Sequence, residues 1–300
     1  SSLAGDVTSA TASSVRSIGG AGPRAVSAST KSRTPTAGTG AATATHEIDN
    51  LSVRTLGCSP LPPSSLAPKI IDLGNITGGG DGLRDTPAVF TGVDPRNGAF
   101  TSGYFDGRLN DTDGVYLAPG PSPYIDSVFY VAALRGPESV LPSSLTQSGV
   151  GYYFPTSDES LAGAFRSGWN YILKDRNGGV STPGSTGGPI TGFTTAVGIH
   201  AATGITYNLD LLRAQHGASN VRCFSTTWGL DGCATGAVNL YAILSSDAGG
   251  VIAERRFHAT AASSWGVLQL PIPVSAQYLS LATGANGVDN CDHGTFARAV

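Results

Sequence analysis

The stretch GIHAATGITYNLDLL, residues 198–212, sets one histidine, His200, among small and apolar side chains. An imidazole titrates near neutral pH and can act as a base, a metal ligand or a hydrogen-bond anchor. No acid, cysteine or second histidine stands close enough in sequence to make His200 a nucleophile's partner or part of a zinc motif. It therefore reads as a framework hydrogen-bonder or as a ligand contact. Asp292 and His293, adjacent near the C-terminus, carry the same choice between contacting a ligand and bracing the closing strand. Trp228, Trp265 and Tyr207 offer flat faces to a ligand, unless they are core aromatics, and Trp228 stands beside a Gly229–Asp231 turn.

DGRLNDTDG, residues 106–114, gathers Asp106, Asn110, Asp111 and Asp113, hard oxygen donors of the kind calcium takes. The spacing is not that of an EF-hand, and an ordinary Asp/Asn turn is the simpler reading. Beyond a structural calcium, no cofactor is expected. GGGDG at 78–82 lacks the Lys-Ser/Thr of a phosphate loop and reads as a turn. There is no Gly-x-Ser-x-Gly elbow and no His-Glu-x-x-His. Asp72, Asp126, Asp158 and Glu159 are the carboxylates that could converge in a glycosidase, but no motif pairs them, and a non-enzymatic protein is expected.

The elements that must position these residues are short strands. Charged residues are 13% of the chain, the net charge is −3, and 41 of 300 residues are glycine. Such a surface cannot neutralise a phosphate backbone, so nucleic acid is not an expected partner. No run of about 20 apolar residues is present to cross a membrane as a helix. The chain contains no methionine, even at position 1, which a removed signal peptide would explain. An extracellular or cell-surface location is expected. Cys58, Cys223, Cys233 and Cys291 form no CxxC pair; in an oxidising compartment they allow three pairings, Cys223–Cys233 being the easiest to close. Sequons occur at Asn50, Asn75 and Asn110, as chance allows in a chain this rich in Ser and Thr.

Residues 1–50 are small and polar, a composition that cannot offset its own ordering entropy. They form an extended arm whose alternations at Val7, Val15 and Ile18 suit addition to a sheet edge, its own or that of another copy. Residues 51–68 are a Pro-rich connector. Residues 69–180 read as a β-rich domain: a strand in KIIDLGNIT, two strands around a Pro-Gly turn in 114–134, a strand in GVGYYF, and a short helix within 157–172. After a glycine-rich boundary at 175–189 come GITYNL as a strand and a helix capped by Asn208 and ended by Gly217. Regularly spaced strands follow in VRCFSTTWGL, AVNLYAILSS, VIAERRFHA, WGVLQLPIPV, QYLSLAT and TFARAV. The fold class is mainly β, with one or two jelly-roll sandwiches behind an extended arm.

Gly198, His200 and Ala201, then Gly229 and Asp231, then Asp292 and His293 stand in an order that resembles the NPCBM carbohydrate-binding module, over about residues 192–300. The stretch 69–180, through GGGDG and GVDPRNG, resembles a region accompanying that module in planctomycete surface proteins. The resemblance implies a galactose-binding-like sandwich and glycan ligands. His200, Trp228, Asp231, Asp292 and His293 are then the candidate ligand residues. The leading expectation is a non-enzymatic extracellular subunit whose arm joins it to copies of itself in a fibre or surface layer, with a carbohydrate-binding-module-like fold; the alternative is a monomeric glycan-binding module.

Overall fold

The computed structural model describes residues 69–83, 85–102, 117–131, 142–155, 172–173, 195–230, 237–260, 265–285 and 293–300, all within one compact unit, Leu56–Val300. The arm with Val7, Val15 and Ile18, the connector, the acidic turn Asp106–Asp113 and all but Ile172 of the expected helix at 157–172 lie outside the described residues. So do Cys58, Cys233, Cys291, Asp158, Glu159, Asp231 and Asp292.

The strands are β1 (Gly92–Val93), β2 (Phe100–Thr101), β3 (Leu117–Pro119), β4 (Ile125–Tyr130), β5 (Ser143–Ser144), β6 (Gly151–Tyr152), β7 (Ile172–Leu173), β8 (Ala196–His200), β9 (Thr203–Asn208), β10 (Cys223–Leu230), β11 (Ala237–Ser246), β12 (Gly250–Thr260), β13 (Trp265–Pro271), β14 (Tyr278–Ala285) and β15 (His293–Ala297). Every pairing among them is antiparallel. They form a seven-stranded sheet, β13-β10-β15-β8-β7-β1-β2, a six-stranded sheet, β12-β11-β14-β9-β4-β3, and the β5-β6 hairpin. The chain is a mainly β sandwich.

Alternation along the strands builds the core. Val197, Ile199, Phe224, Leu268, Leu270 and Phe296 of the larger sheet meet Ile205, Tyr207, Leu240, Leu244, Leu279 and Leu281 of the smaller. Fully burying each such apolar side chain stabilises the fold by about 1.5–3 kcal/mol before ordering costs. The smaller sheet is covered on its other face too, by the β5-β6 hairpin: Phe129, Leu145, Tyr152, Phe154, Tyr241 and Ile243 form a second cluster. That double cover is why AVNLYAILSS reads as a nearly continuous apolar run rather than an alternating one. Between hairpin and sheet, the Leu145 carbonyl accepts from Ser127 Oγ at 2.5 Å and Thr206 Oγ1 at 2.6 Å.

Both halves of the chain contribute to both sheets. β4 pairs with β9, and β7 pairs with β8, so the segments 69–180 and 190–300 divide the chain without dividing the sheets. The expected strand in KIIDLGNIT is instead a five-residue helix, α1 (Leu73–Thr77). Asp72 Oδ1 accepts from Asn75 N at 3.1 Å and starts the helix where β-branched composition pointed to extension. Asn75, one of the three sequons, is buried; its amide donates to Thr86 O at 2.7 Å and accepts from Gly82 N at 2.8 Å. No space remains there for a glycan. The second helix, α2 (Leu209–His216), has the expected caps: Asn208 Oδ1 accepts from Leu211 N at 3.0 Å, and Gly217 follows at φ 93°. Arg213 ties α2 to the turn before β14 through the carbonyls of Ala276, at 2.6 Å, and Pro273, at 3.0 Å.

Candidate functional site

Register gathers the candidate residues at one end of the sandwich. His293 lies directly across from His200, Gly294 across from Leu230, and Trp265 across from Gly229. In the smaller sheet, Ala237 faces Thr260, Val238 faces Ala285, and Thr283 faces Thr203. The strand ends at His200, Thr203, Leu230, Ala237, Thr260, Trp265, Ala285 and His293 therefore all lie at this end. Of the sequence candidates, His200 and His293 sit at this rim and Trp228 lies near it on β10; Asp231 follows Leu230 and Asp292 precedes His293 in the chain.

His200 and His293 are the part of this rim that the structure builds in full. Their neighbours Ile199 and Phe296 point into the core, so by strand alternation both imidazoles stand on the outer face of the larger sheet. The rings meet edge to face, 4.9 Å apart and inclined at 72°. Exposures of 1% and 5% make both buried. His200 Nδ1 lies 3.2 Å from the Ala201 carbonyl, and the His200 carbonyl accepts from Thr203 Oγ1 at 2.6 Å. Ala202, next in the turn, takes φ 66°, a left-handed conformation costly for a residue with a Cβ, while its N–H donates to Thr283 O at 2.7 Å. Two imidazoles supply two metal ligands. Among the described residues no third His, Cys, Asp or Glu completes a metal-binding group.

The aromatic candidates part company. Tyr207 is fully buried, its hydroxyl 2.7 Å from Thr77 Oγ1 of α1, and burial pushes the phenol's pKa well above its usual value. It is a core residue with no face for a ligand. Trp228 and Trp265 belong to two Trp-Gly dipeptides on neighbouring antiparallel strands, paired Trp228 to Gly266 and Gly229 to Trp265. Such a pairing sends one indole to each side of the sheet. Trp228 points inward, stacks on Phe257 with centroids 4.6 Å apart and planes 20° from parallel, and lies so close over Gly266 that a Cβ there would meet the ring at 2.6 Å. Trp265 is 47% exposed on the outer face. The repeated dipeptide was the signal in the sequence; which copy faces solvent is settled by register.

The two described carboxylates of the glycosidase reading have separate occupations. Asp72 is buried and caps α1. Asp126 accepts from Gln147 N at 2.8 Å beside the β5-β6 hairpin. Burial raises the Asp126 pKa and the nearby Asp247 raises it further, against hydrogen bonds from Gln147 and Ser127.

Fold and rim together define a two-sheet antiparallel β-sandwich with a candidate binding end. No protein-family model matches the chain, and no curated protein matches it. Solved structures of similar shape include CBM51 from Clostridium perfringens GH95 in complex with methyl-galactose, at 21% identity and a TM-score of 0.35, covering 44% of this chain and 88% of that one. Another is CBM51-2 with GlcNAc and INT domains from Clostridium perfringens ZmpB, at 14% identity and a TM-score of 0.34, covering 70% of this chain and 42% of that one. A third, the tandem CBM51 modules of a family 98 glycoside hydrolase from Streptococcus pneumoniae, stands at 13% identity and a TM-score of 0.29, covering 65% and 43%.

Proposed function

We propose that this chain is a non-catalytic glycan-binding sandwich whose ligand sits at the rim carrying His200 and His293. The observation that carries this reading is the convergence of the strand ends at His200, Leu230 and His293 on one end of the fold, with Asp231 and Asp292 next to the last two in the chain. Two buried imidazoles packed edge to face, that of His200 beside the Ala201 carbonyl, make a fixed polar wall that needs no reorganisation to meet hydroxyls. The separate engagement of Asp72 and Asp126 supports binding without chemistry. An extracellular or surface setting belongs to this reading. The experiment is a glycan array probed with the intact chain and with Asp231→Ala and Asp292→Ala. Selective binding that falls in both variants is expected; binding unchanged in both removes the rim as the site.

A second reading, assembly of copies through the N-terminal arm, is favoured by the lateral edge of β13. This end strand of the seven-stranded sheet carries no Lys, Arg, Asp or Glu over Trp265–Pro271, whereas β12, at the end of the other sheet, carries Glu254, Arg255 and Arg256. Charges on an edge strand discourage strand addition, so β13 is the less guarded edge. Electron microscopy of the intact chain beside one lacking residues 1–45 tests this. Filaments or sheets from the intact chain alone are expected, and compact particles from both refute assembly.

A further inference from the structure

The outer face of the β10-β13 pair carries a feature separate from the histidine rim. Phe224, Leu230, Leu268 and Leu270 point into the core, so Ser225, Thr227, Gly229, Trp265, Val267 and Gln269 share the opposite face. Register sets them in three rows: Gly229 beside Trp265, Thr227 beside Val267, Ser225 beside Gln269. At about 3.4 Å per residue the strip runs roughly 14 Å from Trp265 to Gln269. Trp265 is 47% exposed and Val267 64% exposed. Neither strand contains a charged residue.

We infer that this strip is a second glycan-binding surface, taking an uncharged oligosaccharide with Trp265 as the platform for one pyranose ring. The inference rests on the glycan reading and adds a site to it. Gly229 has no side chain to hold the Trp265 indole off the sheet, just as Gly266 lets Trp228 lie across it on the inner face. At 47% exposure, Trp265 presents much of its side chain to solvent. A pyranose offers a face of C–H groups to that π surface and hydroxyls at its margins. Thr227, Ser225 and Gln269 supply hydroxyl and amide partners that both donate and accept, as sugar hydroxyls do. A strip with no cation has nothing to hold a phosphate or an acidic polymer, and one with no anion has nothing to hold a basic peptide. Charge thus matches a neutral sugar.

The test is affinity electrophoresis of the intact chain, Trp265→Ala and Val267→Asp through native gels cast with neutral galactan, neutral glucan or hyaluronan, the last being the polyanionic control. Retardation of the intact chain in a neutral gel is expected, with affinity about tenfold or more weaker in Trp265→Ala, as when an aromatic anchor is truncated. Val267→Asp introduces a charge at an exposed position without touching the core and should weaken binding as well. It serves as the independent variant should Trp265→Ala fold poorly. Full retardation of both variants overturns the strip and leaves the rim as the glycan site. No retardation of the intact chain in either neutral gel overturns both sites. Retardation confined to hyaluronan overturns the neutral-sugar assignment.

Discussion

Gly204→Ala tests the joint between the two halves of the chain. Gly204 of β9 lies across from Phe129 of β4. A Cβ built on it would sit 2.2 Å from Phe129 Cζ, 2.5 Å from Cε2 and 2.8 Å from Cε1, where carbon atoms pack at about 3.5–4.0 Å. The ring would have to retreat by more than an ångström. It is fully buried, with Phe154 at 6.4 Å between centroids and the rest of the second cluster around it. Overpacking of this kind costs about 1–3 kcal/mol, and the enclosure of the ring places Gly204→Ala near the upper figure. At a urea m-value of about 3 kcal/mol/M, the midpoint should fall by about 1 M with m unchanged. Phe129→Ala alone should cost about 3–5 kcal/mol through the cavity it leaves. In that background the alanine methyl enters vacated space, so the double variant should be no less stable than Phe129→Ala, a coupling of about 2 kcal/mol or more. Additive losses, or an unchanged midpoint in Gly204→Ala, would refute the β4-β9 pairing on which the single-sandwich architecture rests.

Three further outcomes follow from the same contacts. Thr77→Val leaves the buried Tyr207 hydroxyl without its partner and should cost about 1–3 kcal/mol, while Thr77→Val with Tyr207→Phe should recover much of the loss; equal losses in chemical denaturation would contradict this. The Asp126 pKa is raised by burial above its ordinary value of 3.8, so the folded state binds the proton more tightly than the unfolded state. Its stabilising contribution is complete below 3.8 and is lost as pH rises through the folded value. Thermal midpoints measured from pH 3 upward should therefore shift in favour of Asp126→Asn over the intact chain as pH climbs through that window; a constant difference would refute the shift. Ala202→Gly relieves the left-handed strain beside His200 and should raise stability by about 1 kcal/mol, a gain read as a higher urea midpoint and contradicted by a loss.

The last third of the chain was largely legible because its strands are long enough to carry a pattern. Alternation in WGVLQLP and the Asn208 and Gly217 caps survive in the fold as read. The stretch from 69 to 173 was less so. Strands of two residues, such as β1 and β7, have no period of their own and exist because distant partners offer them hydrogen bonds. The α1 segment was misread for a related reason: β-branched composition is a weak preference, and one capping carboxylate, Asp72, outweighed it. The rim was half legible. His200 and His293 stand out by residue type, but 93 positions separate them in the chain and nothing local says that they touch.

A mainly β chain of low charge, the positions of its long strands and α2, and the residue types available for recognition can all be read from the order of residues alone. Those are local properties, written in periodicity, caps and side-chain chemistry. Tertiary packing brings β4 and β7 into the sheets of the C-terminal half, sets His200 against His293, and of the two Trp-Gly dipeptides stacks one indole on Phe257 while the other faces water. Register makes these choices, because a shift of one residue in a strand sends every side chain to the opposite face.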